Sequence, residues 1–185
     1  MLRIISGEFN RRVIRTIESK DMRPTTDRVR QSLFDFLFHR IDFEGISSLD
    51  LYAGSGILGF ETLSRGAESV TFVESNIQVT KAIEANCKML KVESRAILLT
   101  MDALQFLDKN DRTFDLIFAD PPYRYEYHTQ LINLLISKNL LKPDGVFVLE
   151  HHATANFSTS PLFCLRKEFG TTVISFFSVN KSIFE

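Results

Sequence analysis

From about Ile46 to Glu150, the sequence alternates short apolar segments with longer segments of helical periodicity. The apolar segments are rich in Ile, Leu, Val and Phe and too short for helices, which is typical of strands buried on both faces of a sheet. Strands that alternate with helices form βαβ units, so we expect an α/β fold with a parallel sheet and helices on both faces. The predicted strands are Ser48–Tyr52, Ser69–Glu74, Ala96–Met101, Phe114–Ala119 and Val146–Glu150, and the predicted helices are Leu58–Arg65, Asn76–Leu90, Ala103–Leu107 and His128–Leu141.

The C-terminal part departs from this alternation. Lys142-Pro143-Asp144-Gly145 predicts a turn before the fifth strand. The segments Leu162–Phe169 and Thr171–Val179 flank Gly170 and leave no room for a crossover helix. We therefore expect them to pair as an antiparallel hairpin.

The N-terminal part forms a basic extension. Leu2–Ile5 and Arg12–Thr16 predict a small hairpin, and a helix should begin at Thr26 or Asp27 and end near His39. Residues 1–30 carry eight basic and four acidic side chains (+4), and the other 155 carry 14 basic and 19 acidic ones (−5). This asymmetry indicates either a localised contact with a polyanion or a solvated, balanced surface. We divide the chain into an extension, residues 1–40, and a main domain, residues 41–185.

A glycine-rich loop follows the first predicted strand of the main domain. Gly54, Gly56 and Gly59 form a G-x-G-x-x-G pattern at the start of a helix, and Glu74 ends the next strand about 20 residues later. Such a loop brings backbone N–H groups close to a ligand, and the acidic side chain can hold ribose hydroxyls. A tight turn without a ligand is the alternative. The candidate cofactor residues are Asp50, Ala53, Gly54, Ser55, Gly56, Gly59 and Glu74.

The third strand ends in Met101-Asp102-Ala103, at the same edge of the sheet. The Asp102 carboxylate can accept a hydrogen bond from an adenine amino group, and the Ala103 N–H can meet a ring nitrogen. Asp102 is also a suitable N-cap for the helix that follows. Both roles stay open, and both residues join the candidate cofactor set.

Asp120-Pro121-Pro122-Tyr123 follows the fourth strand. Two prolines end the hydrogen-bonding ladder and fix the backbone. An acceptor before them and an aromatic ring after them form a slot for a flat group that carries an amine. The alternative is a proline-stiffened strand exit without chemistry. These four residues are the candidate catalytic residues.

These motifs resemble those of class I S-adenosylmethionine-dependent methyltransferases that act on amino groups. More narrowly, the chain resembles the RsmD family, which methylates guanine N2 in small-subunit ribosomal RNA. The matching segments are Arg3–Gly7, Arg23–Arg30, Asp50–Gly59, Ser64–Ala67, Asp120–Tyr123 and Glu150, and the departures include Tyr52, where the family often has Phe. The part after Glu150 is less similar.

The resemblance implies a Rossmann-like class I fold with a mostly parallel seven-stranded sheet and an antiparallel C-terminal hairpin. It implies transfer of a methyl group from S-adenosyl-L-methionine, with S-adenosyl-L-homocysteine as product, to the exocyclic N2 amine of a guanine in 16S ribosomal RNA. The step is an in-line displacement in which Asp120 and the Pro121 carbonyl hold the amine. No strong base is required, because the product ammonium is acidic.

The resemblance also gives the basic extension a role in RNA binding. Phosphate contacts must hold the strand while the target base is unstacked. The candidate RNA-binding residues are Arg11, Arg12, Arg23, Thr25, Thr26, Arg28 and Arg30. For Arg28 and Arg30, ion pairs with acids around their helix are the alternative. The expected partner is 16S ribosomal RNA within a partly or fully assembled small subunit.

Three other functions remain open. An adenine-N6 DNA methylase uses similar chemistry, but the chain leaves no room for a separate target-recognition domain. A protein-glutamine methylase usually carries Asn at the position of Asp120. A catalytically silent assembly factor could keep the same fold, and a cofactor titration would distinguish it.

Two cysteines, Cys87 and Cys164, cannot form a disulfide framework or a four-ligand zinc site. His151 and His152 are adjacent and point to opposite faces of a strand, so we expect no metal site. No apolar run approaches the ~18 residues of a membrane-spanning helix. We expect a cytoplasmic monomer that does not associate with a membrane.

Overall fold

The structure is a computed structural model that describes residues 2–17, 26–121, 127–169 and 172–185. The strands are β1 (Leu2–Arg3), β2 (Val13–Ile14), β3 (Ser47–Leu51), β4 (Ser69–Glu74), β5 (Ala96–Thr100), β6 (Phe114–Ala119), β7 (Leu141–His151), β8 (Phe163–Phe169) and β9 (Thr172–Ser178). The helices are α1 (Asp27–Phe38), α2 (Ile57–Ser64), α3 (Ile77–Leu90), α4 (Ala103–Lys109) and α5 (His128–Ser137), with short 3₁₀ turns at Glu93–Arg95 and Lys181–Phe184. These bounds confirm the predicted alternation and both hairpins.

In the described part of the chain, seven strands form one sheet in the order β5-β4-β3-β6-β7-β9-β8. The first five of these strands are mutually parallel, whereas β9 pairs antiparallel with both β7 and β8. The strand order reverses between β3 and β6, and open α/β sheets bind ligands in the crevice at the carboxyl ends of such strands. The predicted fold class is therefore confirmed. The crevice between β3 and β6 is the expected ligand-binding site.

Helices cover both faces of the sheet. On one face, α1 packs on β6 and β7 through a buried cluster that includes Phe34, Phe118 and Val148, and α2 and α3 pack on β4. On the other face, α4 and α5 pack on alternate residues of the same strands, such as Ile117 and Leu149. This alternation assigns each residue of β6 and β7 to a face, because neighbouring side chains of a strand point in opposite directions.

Most predicted boundaries differ from the observed ones by one or two residues, and three of the differences have a clear cause in the backbone. Tyr52 has φ +56° and ends β3 one residue early. The helix α5 ends at Ser137 and not near Leu141, because Asn139 takes a left-handed φ of +50°. The predicted turn at residues 142–145 lies inside β7, where it bulges between the pairs Phe114–Leu141 and Leu116–Val146.

Hydrogen bonds hold the N-terminal hairpin against the C-terminal end of α2. The Ser64 carbonyl accepts a 2.7 Å hydrogen bond from the Glu8 N–H, and Ser64 Oγ accepts one from the Phe9 N–H at 2.9 Å. Gly7 has φ +82°, and a Cβ on this residue would lie 1.8 Å from the Ser64 carbonyl oxygen. The predicted extension thus shares its apolar core with α2 and β4, because Ile4 and Phe9 lie in the same buried cluster as Phe60 and Phe72.

Candidate active site

Each of the five parallel strands ends in or is followed by a carboxylate at the carboxyl edge of the sheet. In the spatial order of the strands, these are Asp102 after β5, Glu74 on β4, Asp50 on β3, Asp120 after β6 and Glu150 on β7. The strand order reverses between Asp50 and Asp120. A ligand in the crevice would therefore meet two or three acidic groups on each side.

The glycine loop forms the β3 side of the crevice. Gly54 has φ +52° and Gly56 has φ +73°, a region that side chains other than glycine rarely adopt. At Gly59, an added Cβ would lie 2.3 Å from the Phe72 ring, so the third glycine permits close packing of α2 on β4. The loop is compact, and the start of α2 is held against the sheet as a nucleotide-binding turn requires.

Asp50 is a buried acid beneath this loop. Its side chain is 3% exposed, and its Oδ2 accepts a 3.0 Å hydrogen bond from the Gly59 N–H. Burial, opposed by this hydrogen bond and reinforced by the charge of Glu74, raises the pKa of Asp50 to about 8. Asp50 is therefore too buried to bind a ligand at the surface. Its raised pKa would fall if a positive charge entered the crevice.

Glu74 lies at the end of β4, as predicted. One of its carboxylate oxygens accepts a 3.0 Å hydrogen bond from the Gly54 N–H, and the other accepts one from the Asn76 N–H at 2.8 Å. The side chain is partly exposed. The loop glycine and the acidic residue are thus joined directly by a hydrogen bond.

Asp102 caps α4, because its Oδ1 accepts a 3.0 Å hydrogen bond from the Gln105 N–H. The capping role that the sequence left open is therefore present. Asp102 is also exposed at the sheet edge and keeps a second oxygen, and Ala103 is buried beside it. The adenine-binding role of this pair stays a prediction.

Asp120 and Pro121 form the β6 side of the crevice. Burial, the charge of Glu150 and the charge of Asp50 raise the pKa of Asp120 well above its usual range. Pro121 is buried and has no N–H. The other two predicted catalytic residues, Pro122 and Tyr123, lie outside the described residues.

Glu150 is the residue for which the sequence analysis predicted no chemical role. It belongs to β7, and the register pairs Ala119 with Leu149, so Asp120 and Glu150 follow a matched pair on neighbouring parallel strands. Its sequence signal was weak, because a lone acid at a strand end is common. Only the strand order shows that these two carboxyl groups lie on neighbouring strands.

The predicted RNA-binding residues lie in two places. Thr26 caps α1 and Arg28 lies exposed in its first turn. Since α1 packs on β6 and β7 and its C-terminal end leads to the start of β3, its first turn points toward the carboxyl edge of the sheet. Arg11 and Arg12 are exposed at the hairpin turn, next to the C-terminal end of α2. Arg23 and Thr25 lie outside the described residues.

Arg30 is not available for RNA in this structure, so the prediction that it contacts RNA is not supported. Its side chain is 0% exposed, and it donates hydrogen bonds to Glu61 at 3.1 Å, to Asp27 at 3.1 Å and to the Arg3 carbonyl at 2.6 Å. Glu61 also pairs with Arg65 and accepts a 2.8 Å hydrogen bond from the Ile5 N–H. Arg30 therefore joins α1, α2 and the hairpin, which is the alternative that the sequence left open.

Among the described residues, no group of three or more potential metal ligands comes together. None of the helices in these ranges is long and apolar enough to cross a membrane. A wide cleft of about 1220 Å³ lies at the opposite, amino edge of the sheet, lined by residues of mixed charge such as Arg40, Glu44 and Arg95.

The strand order, the glycine loop at the reversal point and the acidic residue that follows on β4 define a class I S-adenosylmethionine-dependent methyltransferase fold. A family profile described as "Conserved hypothetical protein 95" matches residues 2–178. The chain therefore belongs to this family, the RsmD family that its motifs resemble.

Individual relatives agree with this assignment. The Haemophilus influenzae protein named ribosomal RNA small subunit methyltransferase D is 36% identical over 178 residues, which cover 95% of this chain and 91% of that protein. The Escherichia coli protein of the same name is 34% identical over 160 residues, covering 86% and 79%. A solved Escherichia coli structure described as a methyltransferase superimposes with a TM-score of 0.83 at 30% identity, covering 95% and 96%.

Proposed function

We propose that this protein transfers a methyl group from S-adenosylmethionine to the exocyclic N2 amine of a guanine in 16S ribosomal RNA. The observation that carries the proposal is the position of Asp120 and Pro121 directly across the strand-order reversal from the glycine loop. The two relatives named as ribosomal RNA small subunit methyltransferases support the choice of RNA. The substrate is the ribosomal RNA, alone or within a small subunit.

The residues of the crevice fit the cofactor. The left-handed Gly54 and Gly56 leave the loop backbone open to a close ligand, and Glu74 and Asp102 offer acceptors for ribose hydroxyls and an adenine amine. When bound, S-adenosylmethionine supplies a methyl group that is activated by the positive charge on its sulfur. The carboxyls of Asp50 and Asp120 are suited to a cationic ligand, since a nearby positive charge favours their ionised forms.

Asp120 and Pro121 hold the target amine in this proposal. An exocyclic guanine amine is a weak nucleophile because its lone pair is delocalised into the ring. The Asp120 carboxylate and the Pro121 carbonyl accept its two N–H bonds and favour the tetrahedral nitrogen from which attack occurs. A proton leaves the nitrogen after attack, to Asp120 or to water. Pro122 fixes the backbone of the slot and Tyr123 stacks on the base.

In this proposal the RNA contacts lie on two parts of the protein, the start of α1 and the turn of the N-terminal hairpin. Thr26 and Arg28, at the start of α1, contact the phosphates next to the target base, and Arg23 and Thr25, which precede them in the sequence, are assigned to the same phosphates. Arg11 and Arg12, at the far end of α2 from the glycine loop, contact phosphates of the flanking strand. RNA affinity should therefore fall with salt, and removal of Arg28 should reduce the salt dependence.

The test is transfer of labelled methyl from S-adenosylmethionine to small ribosomal subunits that lack the modification, followed by nucleoside analysis. We expect N2-methylguanosine at one site. Asp120→Ala should abolish transfer and still bind the cofactor, and Asp111→Ala, an exposed carboxylate away from the crevice, should leave transfer unchanged. Normal transfer by Asp120→Ala would refute the role of Asp120.

The same assay distinguishes the other functions. Methylation of adenine in DNA, with none in subunits or free ribosomal RNA, would keep the fold and the cofactor and replace the substrate. Tight cofactor binding without transfer to any of these substrates would identify a silent RNA-binding protein.

A further inference from the structure

Glu150 lies beside Asp120 at the carboxyl edge of the sheet. Phe118 pairs with Val148 and Ala119 pairs with Leu149 across β6 and β7. The next residues on the two strands are Asp120 and Glu150, and adjacent strands are about 4.8 Å apart. Phe118 and Val148 lie in the same buried cluster beneath α1, so the side chains two residues later emerge on that same face.

On its other side, Glu150 has an apolar neighbour. It pairs with Ile174 of β9, which is 1% exposed. Glu150 itself is partly exposed, as is Asp120. Glu150 is separated from β3 and its glycine loop by one strand, β6, so Asp120 lies between Glu150 and the loop.

The chemistry of a purine gives this second carboxylate a use. Guanine presents two kinds of donor side by side, the N2 amine and the N1–H. Adenine presents its amine beside N1, which carries a lone pair and no hydrogen. An ionised carboxylate only accepts hydrogen bonds, so it attracts the first edge and repels the second. A flipped base is read through this edge.

We propose that Glu150 selects guanine by accepting a hydrogen bond from its N1–H while Asp120 and Pro121 hold the N2 amine. This inference rests on the proposed function, and it assigns the specificity of the same site to one residue. A site built around a hydrogen bond rejects an analogue that lacks the donor, because the acceptor covered by the bound base is then left unpaired. Glu150 thus disfavours both adenine and any purine without an N1–H.

The experiment uses 2-aminopurine, which keeps the N2 amine but has a lone pair at N1. Small subunits are reconstituted with 16S ribosomal RNA that carries guanine or 2-aminopurine at the nucleotide methylated by the native protein. We expect the native protein to favour guanine by on the order of 10- to 100-fold. Glu150→Gln should methylate guanine on the order of 10-fold more slowly and lose most of this preference, because its amide can donate to N1.

A second readout does not depend on methyl transfer. The fluorescence of 2-aminopurine rises when the base leaves the stack, so a titration in the presence of S-adenosylhomocysteine reports its capture. We expect Glu150→Gln to bind the 2-aminopurine subunits more tightly than the native protein does. Glu150→Asp should keep the preference for guanine with slower transfer, and Glu168→Gln, an exposed acid on β8, should behave as the native protein.

The outcomes separate the inference from the proposed function. If native protein forms N2-methylguanosine and Glu150→Gln keeps the full preference for guanine, the inference is wrong and the proposed function stands. If native protein forms no N2-methylguanosine, both are wrong. Equal unfolding temperatures and equal S-adenosylhomocysteine affinities exclude misfolding as the cause of a changed preference.

Discussion

The backbone N–H of Gly59 donates a 3.0 Å hydrogen bond to Oδ2 of Asp50 and ties the third glycine of the loop to the strand before it. This bond favours the ionised carboxylate, but burial of Asp50 outweighs it and raises the pKa to about 8. The acid beneath the cofactor loop is therefore mostly protonated at neutral pH in the protein without ligand. Two predictions depend on this proton.

The first concerns stability. The folded protein keeps the Asp50 proton up to about pH 8, whereas an unfolded Asp releases it near 3.8, so the free energy of unfolding falls as pH rises between these values. The limiting slope for one proton is about 1.4 kcal/mol per pH unit. Asp50→Asn should remove this contribution, and its unfolding temperature relative to native protein should rise from pH 5 to pH 8.

Thermal unfolding at several pH values measures this difference. Asp111→Asn, an exposed position, serves as the matched control and should shift in parallel with native protein at every pH. A constant difference between Asp50→Asn and native protein would show that Asp50 does not hold an excess proton.

The second prediction concerns the ligand. S-adenosylmethionine carries a positive sulfur and S-adenosylhomocysteine a neutral one, and a nearby cation lowers the raised pKa values of Asp50 and Asp120. Binding of the cation therefore releases protons, so its affinity relative to S-adenosylhomocysteine should increase with pH between 6 and 8. The limit is about tenfold per pH unit for each proton.

Calorimetric titrations with both ligands in buffers of different ionisation enthalpy count the released protons directly. Asp50→Asn should release fewer protons than native protein on binding S-adenosylmethionine. A ratio of affinities that does not change with pH would place the charged sulfur away from both carboxyls.

The sequence predicted the elements whose signals are local. Buried strands such as Phe114–Ala119 were found with their observed bounds because a short apolar run flanked by loop residues has few other structures. The end of α5 was missed because the leucines on both sides of Asn139 continue the helical period and outweighed the tendency of Asn to adopt a left-handed φ at a helix end. The bulge at residues 142–145 looked like a turn for a similar reason, since Pro-Asp-Gly suits either.

The relationships that the sequence did not predict are those between distant segments. The basic extension and the family resemblance made Arg30 a candidate RNA contact, with an ion pair as the alternative, and the sequence did not identify its partner Glu61, which lies 31 residues away. The neighbourhood of Asp120 and Glu150 depends on strand order, which periodicity does not encode. Sequence motifs identify the residues that carry the chemistry, and the strand order determines which of their side chains lie close together.

The third prediction concerns the hairpin. Gly7 and Gly45 both have positive φ, +82° and +72°, so alanine is strained at either position. Only at Gly7 would the new Cβ collide with a neighbour, the Ser64 carbonyl oxygen at 1.8 Å, whereas nothing lies within 4 Å at Gly45. Gly7→Ala should therefore destabilise by about 1–3 kcal/mol more than Gly45→Ala.

Hydrogen exchange tells whether the hairpin itself is displaced. In Gly7→Ala we expect faster exchange of the Glu8 and Phe9 amides, which donate to Ser64, and of the Ile5 amide, which donates to Glu61. Gly45→Ala should leave these amides protected. Equal destabilisation and equal exchange in the two variants would mean that backbone strain alone matters at Gly7.

The last prediction concerns the buried pair of Arg30 and Glu61, both with 0% side-chain exposure. Removal of one partner leaves the other charge buried without full compensation, which costs about 3–5 kcal/mol. Arg30→Met should therefore be strongly destabilising. Because Arg30 also donates to the Arg3 carbonyl, this variant should loosen the hairpin as well as α1.

A double-mutant cycle with Glu61→Gln measures the coupling, and we expect a coupling of about 0.5–3 kcal/mol because the two groups are in contact. The control is the exposed pair of Lys88 and Glu84 on α3, also a basic side chain paired with a glutamate, which lie one helical turn apart. Lys88→Met should change stability too little to resolve, since water screens that pair. If Arg30→Met were equally mild, Arg30 would have to reach solvent easily, and its place among the RNA-binding residues would be restored.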